Sequence, residues 1–320
     1  LAVINVSTKG AAGRERCVLN GVYGQQVNTL GREGLGFVCR KKVGPTVMDL
    51  GVASNTSRRS GRSSSNFDTS VPPTVEYPFS LKDGKPINSV YLNAGIQVSD
   101  LKVRAIVDRY VVPNRSGYGI ENLPNTFDNR FDSYNGTINY EAHVTSAFTL
   151  TPSYSIKVDT PWQVKDTSVG NGLYFDVRNT RQVLSLLGSY EIRDDLTLLV
   201  GGENTRDNVH TAEAASPFIN GSSDIKYHSN ALFSQLEWES ETFSLALGAR
   251  YENHSAFDPA FVPRLAATKQ MGAWHVKTLY SQAYRNPSIE NINGFDYVNY
   301  KLKPEKTNDL ELEGGYQYSR

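Results

Sequence analysis

Along most of the chain apolar and polar side chains alternate one for one. In 133–144, SYNGTINYEAHV, one parity carries Tyr134, Ile138, Tyr140, Ala142 and Val144; the other carries Ser133, Asn135, Thr137, Asn139, Glu141 and His143. In 148–159, FTLTPSYSIKVD, Phe148, Leu150, Pro152, Tyr154, Ile156 and Val158 alternate with Thr149, Thr151, Ser153, Ser155, Lys157 and Asp159. A period of two belongs to a strand with one apolar and one wet face. The last segment repeats it: Leu310, Leu312, Gly314, Tyr316 and Tyr318 are separated by Glu311, Glu313, Gly315, Gln317 and Ser319. The same reading predicts strands at 14–25, 34–42, 46–56, 89–98, 101–110, 182–192, 195–203, 229–239, 242–252, 261–269, 273–283 and 307–319. That makes about fourteen, each near the length a tilted strand needs to cross a bilayer.

The connections between these strands are of two kinds. Ser99-Asp100, Arg193-Asp194-Asp195, Glu239-Ser240-Glu241 and Gln270-Met271-Gly272 are short. The stretches 57–88, 113–130, 160–180, 204–227 and 285–306 are long, polar and rich in Gly, Ser, Asn and Pro, and 254–260 is the briefest of that class. From residue 57 onward short and long largely alternate, which predicts an all-β, antiparallel up-and-down transmembrane β-barrel rather than a soluble sandwich. Trp238, Phe243, Tyr251 and Trp274 lie near strand ends on the apolar parity, where amphipathic rings would sit at headgroup level. The polar parity carries Arg104, Asp108, Glu141, Lys157, Glu203, Glu237, Arg250, Glu252, Lys277, Glu311 and Glu313. So many charges require a wide lumen, wet or plug-filled.

Composition narrows the class further. Mean hydropathy is −0.43, and no run approaches the length of an apolar transmembrane helix, which excludes a helical membrane protein but not a barrel. Lys plus Arg number 33 and Asp plus Glu number 33, so the charge balance gives no reason to expect a nucleic-acid partner. Cys17 and Cys39 lack metal-ligand spacing; they could pair across a hairpin or stand as two small side chains on an outward face. The five histidines (143, 210, 228, 254 and 275) are scattered and read as polar loop or lumen residues. No nucleophile–base arrangement, phosphate-binding loop or metal cluster is visible, so neither catalysis nor a cofactor is expected. The opening LAVINVSTKG shows no initiator Met and no charged signal-peptide region, as in a mature protein or a fragment.

Four motifs in order add a family. The opening LAVINVSTK, with Asn5 and Thr8, resembles the end of the plug domain in TonB-dependent outer-membrane receptors, and GVYGQQVNTLG is similar to their first barrel hairpin. Pro263-Arg264 resembles their Pro-Arg strand, and Tyr284-Arg285-Asn286-Pro287-Ser288 their aromatic-Arg-x-Pro-Ser segment. Leu302-Lys303-Pro304-Glu305, followed by Glu311, Glu313 and Gly314, resembles their LKPE…E-G segment. The resemblance implies that 1–12 is the end of a plug and 13–320 the first part of a barrel of about 22 strands. Most of the plug, with its TonB box, would then lie upstream of Leu1, and roughly the last third of the barrel beyond Arg320.

The resemblance also implies a mechanism. Outer loops capture a scarce ligand too large for a porin, and TonB pulls on the plug to let it through. Outer-membrane lipid and lipopolysaccharide would surround a monomer. Arg58, Arg59 and Arg62 lie close together in the longest early loop; they could engage an anionic ferric chelate, bind lipopolysaccharide phosphates or simply be solvated. Ferric siderophore is the expected ligand, being the commonest class in that family. Haem receptors of the family tend to carry a His between the Arg-x-Pro and LKPE segments, and 286–301 contains none. A complete fourteen-stranded channel for fatty acids, a passive porin-like barrel and a secreted β-rich enzyme are the alternatives.

Overall fold

A computed structural model describes residues 15–26, 29–58, 63–68, 75–80, 86–113, 128–164, 175–212, 218, 221–293 and 302–318. The chain opens with the long strands β1 (Arg16–Gln26), β2 (Thr29–Val43) and β3 (Thr46–Ser57). A short hairpin follows, β4 (Ser63–Asp68) and β5 (Val75–Ser80), then β6 (Ile87–Val98), β7 (Leu101–Pro113) and β8 (Asp128–Tyr140). The two-residue β9 (Ala142–His143) precedes β10 (Phe148–Val164), β11 (Phe175–Arg193), β12 (Leu196–Thr211) and β13 (Asp224–Glu239). The last strands are β14 (Phe243–His254), β15 (Ala260–Met271), β16 (Trp274–Arg285) and β17 (Glu305–Tyr316), with the single-turn helix α1 (Ile289–Asn293) before β17.

One sheet of fifteen strands contains all of these but β4 and β5; with β9 off the path, fourteen stand in line in chain order. Every neighbouring pair is antiparallel, and β1 and β17 are the two ends of the path. This is the number of strands predicted by the alternation. The long connection 57–88, read from sequence as loop, holds the β4–β5 hairpin as a separate two-stranded sheet. VEYPFS alternates over too few residues to stand out from a polar loop.

The register preserves one parity across the whole sheet. Met48, Ile96, Val103, Ile138, Tyr154 and Leu184 are successive cross-strand partners, so they share a face. Ser153 and Asn139 pair on the opposite face, as do Lys277 and Glu313. The apolar face is bare: Leu184 is 58% exposed, Leu232 68% and Phe261 62%. A sandwich would have covered those side chains; among the described residues nothing does, and lipid is the solvent that fits them.

The band they form has edges. At the short-turn rim Trp238 stacks edge-on to Phe243 at 5.3 Å, and Trp274 lies 4.7 Å from Tyr316. The Trp238 indole N–H donates to Asp195 in the adjacent turn at 3.0 Å, so the ring is dry and its polar tip wet. Tyr251 and Phe261 are partners near the long-loop rim. From Phe261 to Met271 is ten residues of β15 (271 less 261), a rise of about 25 Å for a strand advancing about 3.3 Å per residue at about 40° tilt. That matches the height of an outer-membrane apolar band.

The short turns follow backbone chemistry. Gly44 opens the two-residue turn between β2 and β3 at φ 59°, a conformation open to glycine without a Cβ clash. Ladder irregularities fall near strand ends, at Gly24/Gln25, Asp159/Gln163 and Glu191/Arg193. Cys17 and Cys39, left open by the sequence, are direct cross-strand partners on β1 and β2 and form a disulfide.

Because that bridge leaves no free thiol, cysteines introduced one at a time report facing cleanly. A lipid-soluble maleimide should label Cys at 138 and 154 in the membrane and spare 139 and 153, while a water-soluble one should do the reverse. Preferential lipid-side labelling at 139 and 153 would invert the assignment for the whole sheet.

Candidate functional site

The strands β11, β12 and β13 continue past the apolar band on the long-loop side, and their chemistry changes phase there. On β12 the lipid-side parity runs Leu198, Val200, Gly202 and then Asn204, Arg206, Asn208, His210. The lumen-side parity runs Glu203, Thr205, Asp207 and then Val209 and Thr211. Asp207, Val209 and Thr211 are buried, whereas Arg206, Asn208 and His210 are exposed. The lumen side is therefore the covered side at the mouth, and the outer side the wet one.

What covers it is loop. Val177, Val209 and Phe218 form a small buried core, with Ile225 and Ile289 packed against it. Phe218 comes from the β12–β13 connection, and Ile289 opens α1 in the segment after β16. That turn is started by Ser288, whose Oγ accepts from the Asn291 N–H at 3.1 Å and whose carbonyl accepts from Ile292. Pro287 just before it biases Asn286 to an extended path, so the chain leaves β16 and folds in over the wall.

Beneath this lid lies a polar cavity of about 380 Å³, lined by Arg181, Glu203, Asp207 and Glu252 on the wall and by Pro287 and Ser288 on the loop. Arg181 grips Asp207 with two bonds, Nε at 2.7 Å and an Nη at 2.9 Å, the planar fork matching the carboxylate. One level on, Arg250 donates to Glu203 at 3.0 Å and to Glu252 at 2.9 Å. Its guanidinium lies 5.8 Å over the Phe233 ring. That ring needs the glycine opposite it: a Cβ on Gly201 would stand 2.3 Å from Phe233. Glu252 also accepts from the Ser229 hydroxyl at 2.7 Å and from the Tyr284 hydroxyl. Three carboxylates thus meet two guanidiniums, so the cavity wall holds itself together and offers no surplus positive charge.

His254, at the end of β14 above the band, sits between Tyr227 at 5.6 Å and Phe257 at 5.1 Å. Its Nδ1 accepts from the Ala256 N–H at 3.1 Å, which leaves the proton of the neutral ring on Nε2. Burial holds its pKa below the usual histidine value, with Glu252 and Asp207 pulling the other way.

The sequence motifs are not gathered into one place. Tyr284, Pro287 and Ser288 meet at the cavity. Tyr284 shares the parity of lipid-facing Tyr280, yet its hydroxyl reaches Glu252 on the lumen side. The β15–β16 ladder ends at Arg264–Ser281, next to Pro263, which has no N–H to give. Tyr284 turns inward where the two strands part. Pro263 faces Ala249 on the apolar side, and Arg264 packs on Gly248 with its Cγ 3.3 Å from where a Cβ would be. Arg285 and Glu305 form an exposed pair at 4.0 Å; Leu302 and Pro304 lead into β17.

Toward the short-turn end Glu313 accepts from His275 at 3.1 Å and pairs with Lys277 at 3.9 Å. Glu311 shares its face, and Gly314 lies opposite Val276 on the other. At the end of β3 the Arg58 N–H donates to Gly31 at 2.9 Å. Arg59, Arg62, Asn5, Thr8 and the segment 1–12 lie outside the described residues. Among the described residues no group of three or more His, Cys, Asp or Glu could hold a metal. Arg181 and Asp207 escaped the sequence reading, which ended the strands at 182 and 203; the pattern Val177, Arg181 against Asp207, Val209 was the available signal.

A charged, partly covered face behind an apolar face of up-and-down strands defines the wall of a membrane β-barrel. The chain belongs to the family described as TonB dependent receptor-like, beta-barrel, which matches residues 54–319. Comparison with curated proteins by sequence finds no match. Among solved structures it is similar to the siderophore receptor PirA from Pseudomonas aeruginosa (TM-score 0.62, 14% identity), covering 95% of this chain and 52% of that one. It is similar to a variant of the ferric enterobactin receptor PfeA from the same organism (TM-score 0.67, 12% identity, 94% and 50% covered). It is also similar to the alcaligin outer membrane receptor FauA from Bordetella pertussis (TM-score 0.57, 11% identity, 94% and 48% covered). The chain spans about half the length of these structures.

Replacing Arg250 with Gln leaves Glu203 and Glu252 facing each other half-buried, and should cost about 1–3 kcal/mol. Tyr284→Phe removes one bond and should cost about 1 kcal/mol. The temperature at which the barrel loses its compact migration on a semi-native gel should fall in that order, and equal midpoints for all three proteins would remove the network from the account.

For His254 the folded pKa lies below the unfolded value of about 6.5. Its contribution is therefore complete above that pH and is lost as pH falls through the folded value. Ring NMR shifts, assigned with His254→Gln, should show the ring neutral at pH values where exposed histidines are already half charged.

Proposed function

We propose that this chain is the first part of the barrel wall of a TonB-dependent outer-membrane receptor that imports a scarce ligand, a ferric siderophore before others. The observation that carries this reading is the sheet: fourteen strands in line, apolar outside and charged inside, with β1 and β17 left as edges. In lipid each unpaired backbone group at an edge costs several kcal/mol, so further strands are expected to join the two ends. About eight more would close a barrel of about 22 strands, the plugged size. The family match and the siderophore receptors among the similar structures favour a receptor over a passive channel.

In this reading the outer membrane is its site, its annulus is lipid and lipopolysaccharide, and it works as a monomer. TonB acts through a plug whose last residues are 1–12, with Asn5 and Thr8. No bond chemistry is assigned to the wall. The mouth cavity, with three carboxylates to two guanidiniums, fits the docking of residues 286–293 onto the wall better than capture of an anion. Capture of an anionic chelate falls instead to Arg58, Arg59 and Arg62.

Uptake by the protein as it occurs in its cell should stop when TonB is deleted; uptake that survives would leave a passive barrel. Replacing Arg58, Arg59 and Arg62 with Gln should weaken equilibrium binding of a ferric siderophore about tenfold or more, since one charge-assisted bond contributes roughly 1.5–3 kcal/mol. Unchanged affinity for every chelate that binds would leave those arginines a surface role.

A further inference from the structure

Cys17 and Cys39 are the two cysteines of the chain, and their bridge has a place in the wall that ligand transport does not use. Cys39 pairs with Leu50 on β3, Leu50 with Ala94 on β6, and Ala94 with Ala105 on β7. The sulfurs therefore belong to the lipid-side parity. The next row toward the long loops is Leu19, Phe37, Val52, Leu92 and Val107. Leu19 and Tyr23, on the same parity of β1, are 69% and 73% exposed. Toward the short turn come Lys41 with Met48, then Val43 with Thr46. Cys39 stands four residues from Val43 (43 less 39), a rise of about 10 Å at about 3.3 Å per residue and about 40° tilt. The bridge thus faces the apolar band, between apolar rows, rather than the lumen or the water at the rim.

That place constrains when the bond can form. Thiol–disulfide exchange needs a thiolate and a disulfide brought up to it. Hydrocarbon supports neither. Apolar surroundings hold a thiol protonated, since a bare anion there is costly, and a water-soluble oxidant has no path to the sulfurs. The bond must therefore close while β1 and β2 are still in water. The strand it holds is a weak one. β1 is an edge of the sheet, paired among the described residues with β2 alone. Gly21 and Gly24 give it no side chain to pack, and its ladder slips between Gly24 and Gln25. A covalent link at the other end of β1 fixes the register that this ladder holds loosely.

We propose that Cys17 and Cys39 are the substrate of a dithiol–disulfide oxidant that meets the chain in the periplasm, before insertion, and that lipid then seals the bond as a staple between β1 and β2. One cysteine thiolate attacks a sulfur of the oxidant's disulfide, forming a mixed disulfide and expelling the other sulfur as thiolate. The second cysteine thiolate attacks the first cysteine's sulfur and expels the oxidant's remaining thiolate. The pair gives up two electrons and two protons, and the oxidant takes up both and leaves as a dithiol. The periplasm is the oxidising compartment on the path to the outer membrane. The proposal rests on the outer-membrane reading above.

Pulse-chase labelling of the protein as it occurs in its cell, with acid quenching and maleimide trapping read by peptide mass spectrometry, tests it. The bridge should be complete in the species that still migrates as unfolded on a semi-native gel. In cells lacking the periplasmic dithiol oxidant both thiols should be found free. In intact outer membranes a charged phosphine should reduce the wild-type bridge at least about tenfold more slowly than after unfolding in detergent. Cys39→Ser leaves Cys17 as a lone thiol, which a charged maleimide should spare in the membrane and label on unfolding. A bridge that first appears in the compact, inserted protein, that forms equally without the oxidant, or that the phosphine reduces equally fast in both states overturns the proposal and leaves the transport reading standing. So does a pair that stays reduced in wild-type cells. A wild-type protein that does not fractionate with the outer membrane overturns both.

Discussion

The constraint on which this structure depends is that lipid offers a backbone amide nothing to bond with. Across the apolar band each strand must satisfy its N–H and C=O groups on its neighbours. The ladders do so: β12 and β13 pair from Leu196–Trp238 to His210–Asp224 without a bulge. Bulges are left for strand ends, where water is available. An unbroken ladder also locks parity, since a slip of one residue would turn Leu232 or Tyr154 into the lumen and Glu203 or Lys157 into lipid.

The same wall passes through two solvents, and its interactions change accordingly. Inside the band the lumen face is wet enough for charge, and Arg250 is held between Glu203 and Glu252 over Phe233. At the mouth Phe218 and Ile289 cover the lumen face, and Val177 and Val209 are buried against them there. The outer face turns polar above the apolar band, where Arg206, Asn208 and His210 are exposed.

Pairing of loop to wall follows from this layout. α1 brings Ile289 onto the dry core, while Tyr284, just before the loop, bonds Glu252 in the charged layer. The loop after β16 is thus tied at two heights to strands far away in sequence.

Strand number, order of short and long connections, and facing within the band were all legible in the amino-acid sequence. Each depends on a local period of two that lipid on one side and water on the other impose. The aromatic positions Trp238, Phe243, Tyr251 and Trp274 were legible for the same reason, and so was the family, through short motifs read in order. Tertiary structure alone decided the rest. The extensions of β11–β13 were invisible because the alternation there does not stop but inverts: Val209 is buried where Glu203 is wet. A period says that two faces differ, not which solvent each meets. The Cys17–Cys39 pair depended on register between two strands, and the inward turn of Tyr284 on a ladder ending beside Pro263. The meeting of Arg181 with Asp207 required two strands whose pairing no local pattern encodes, because those contacts are made by residues distant in the chain.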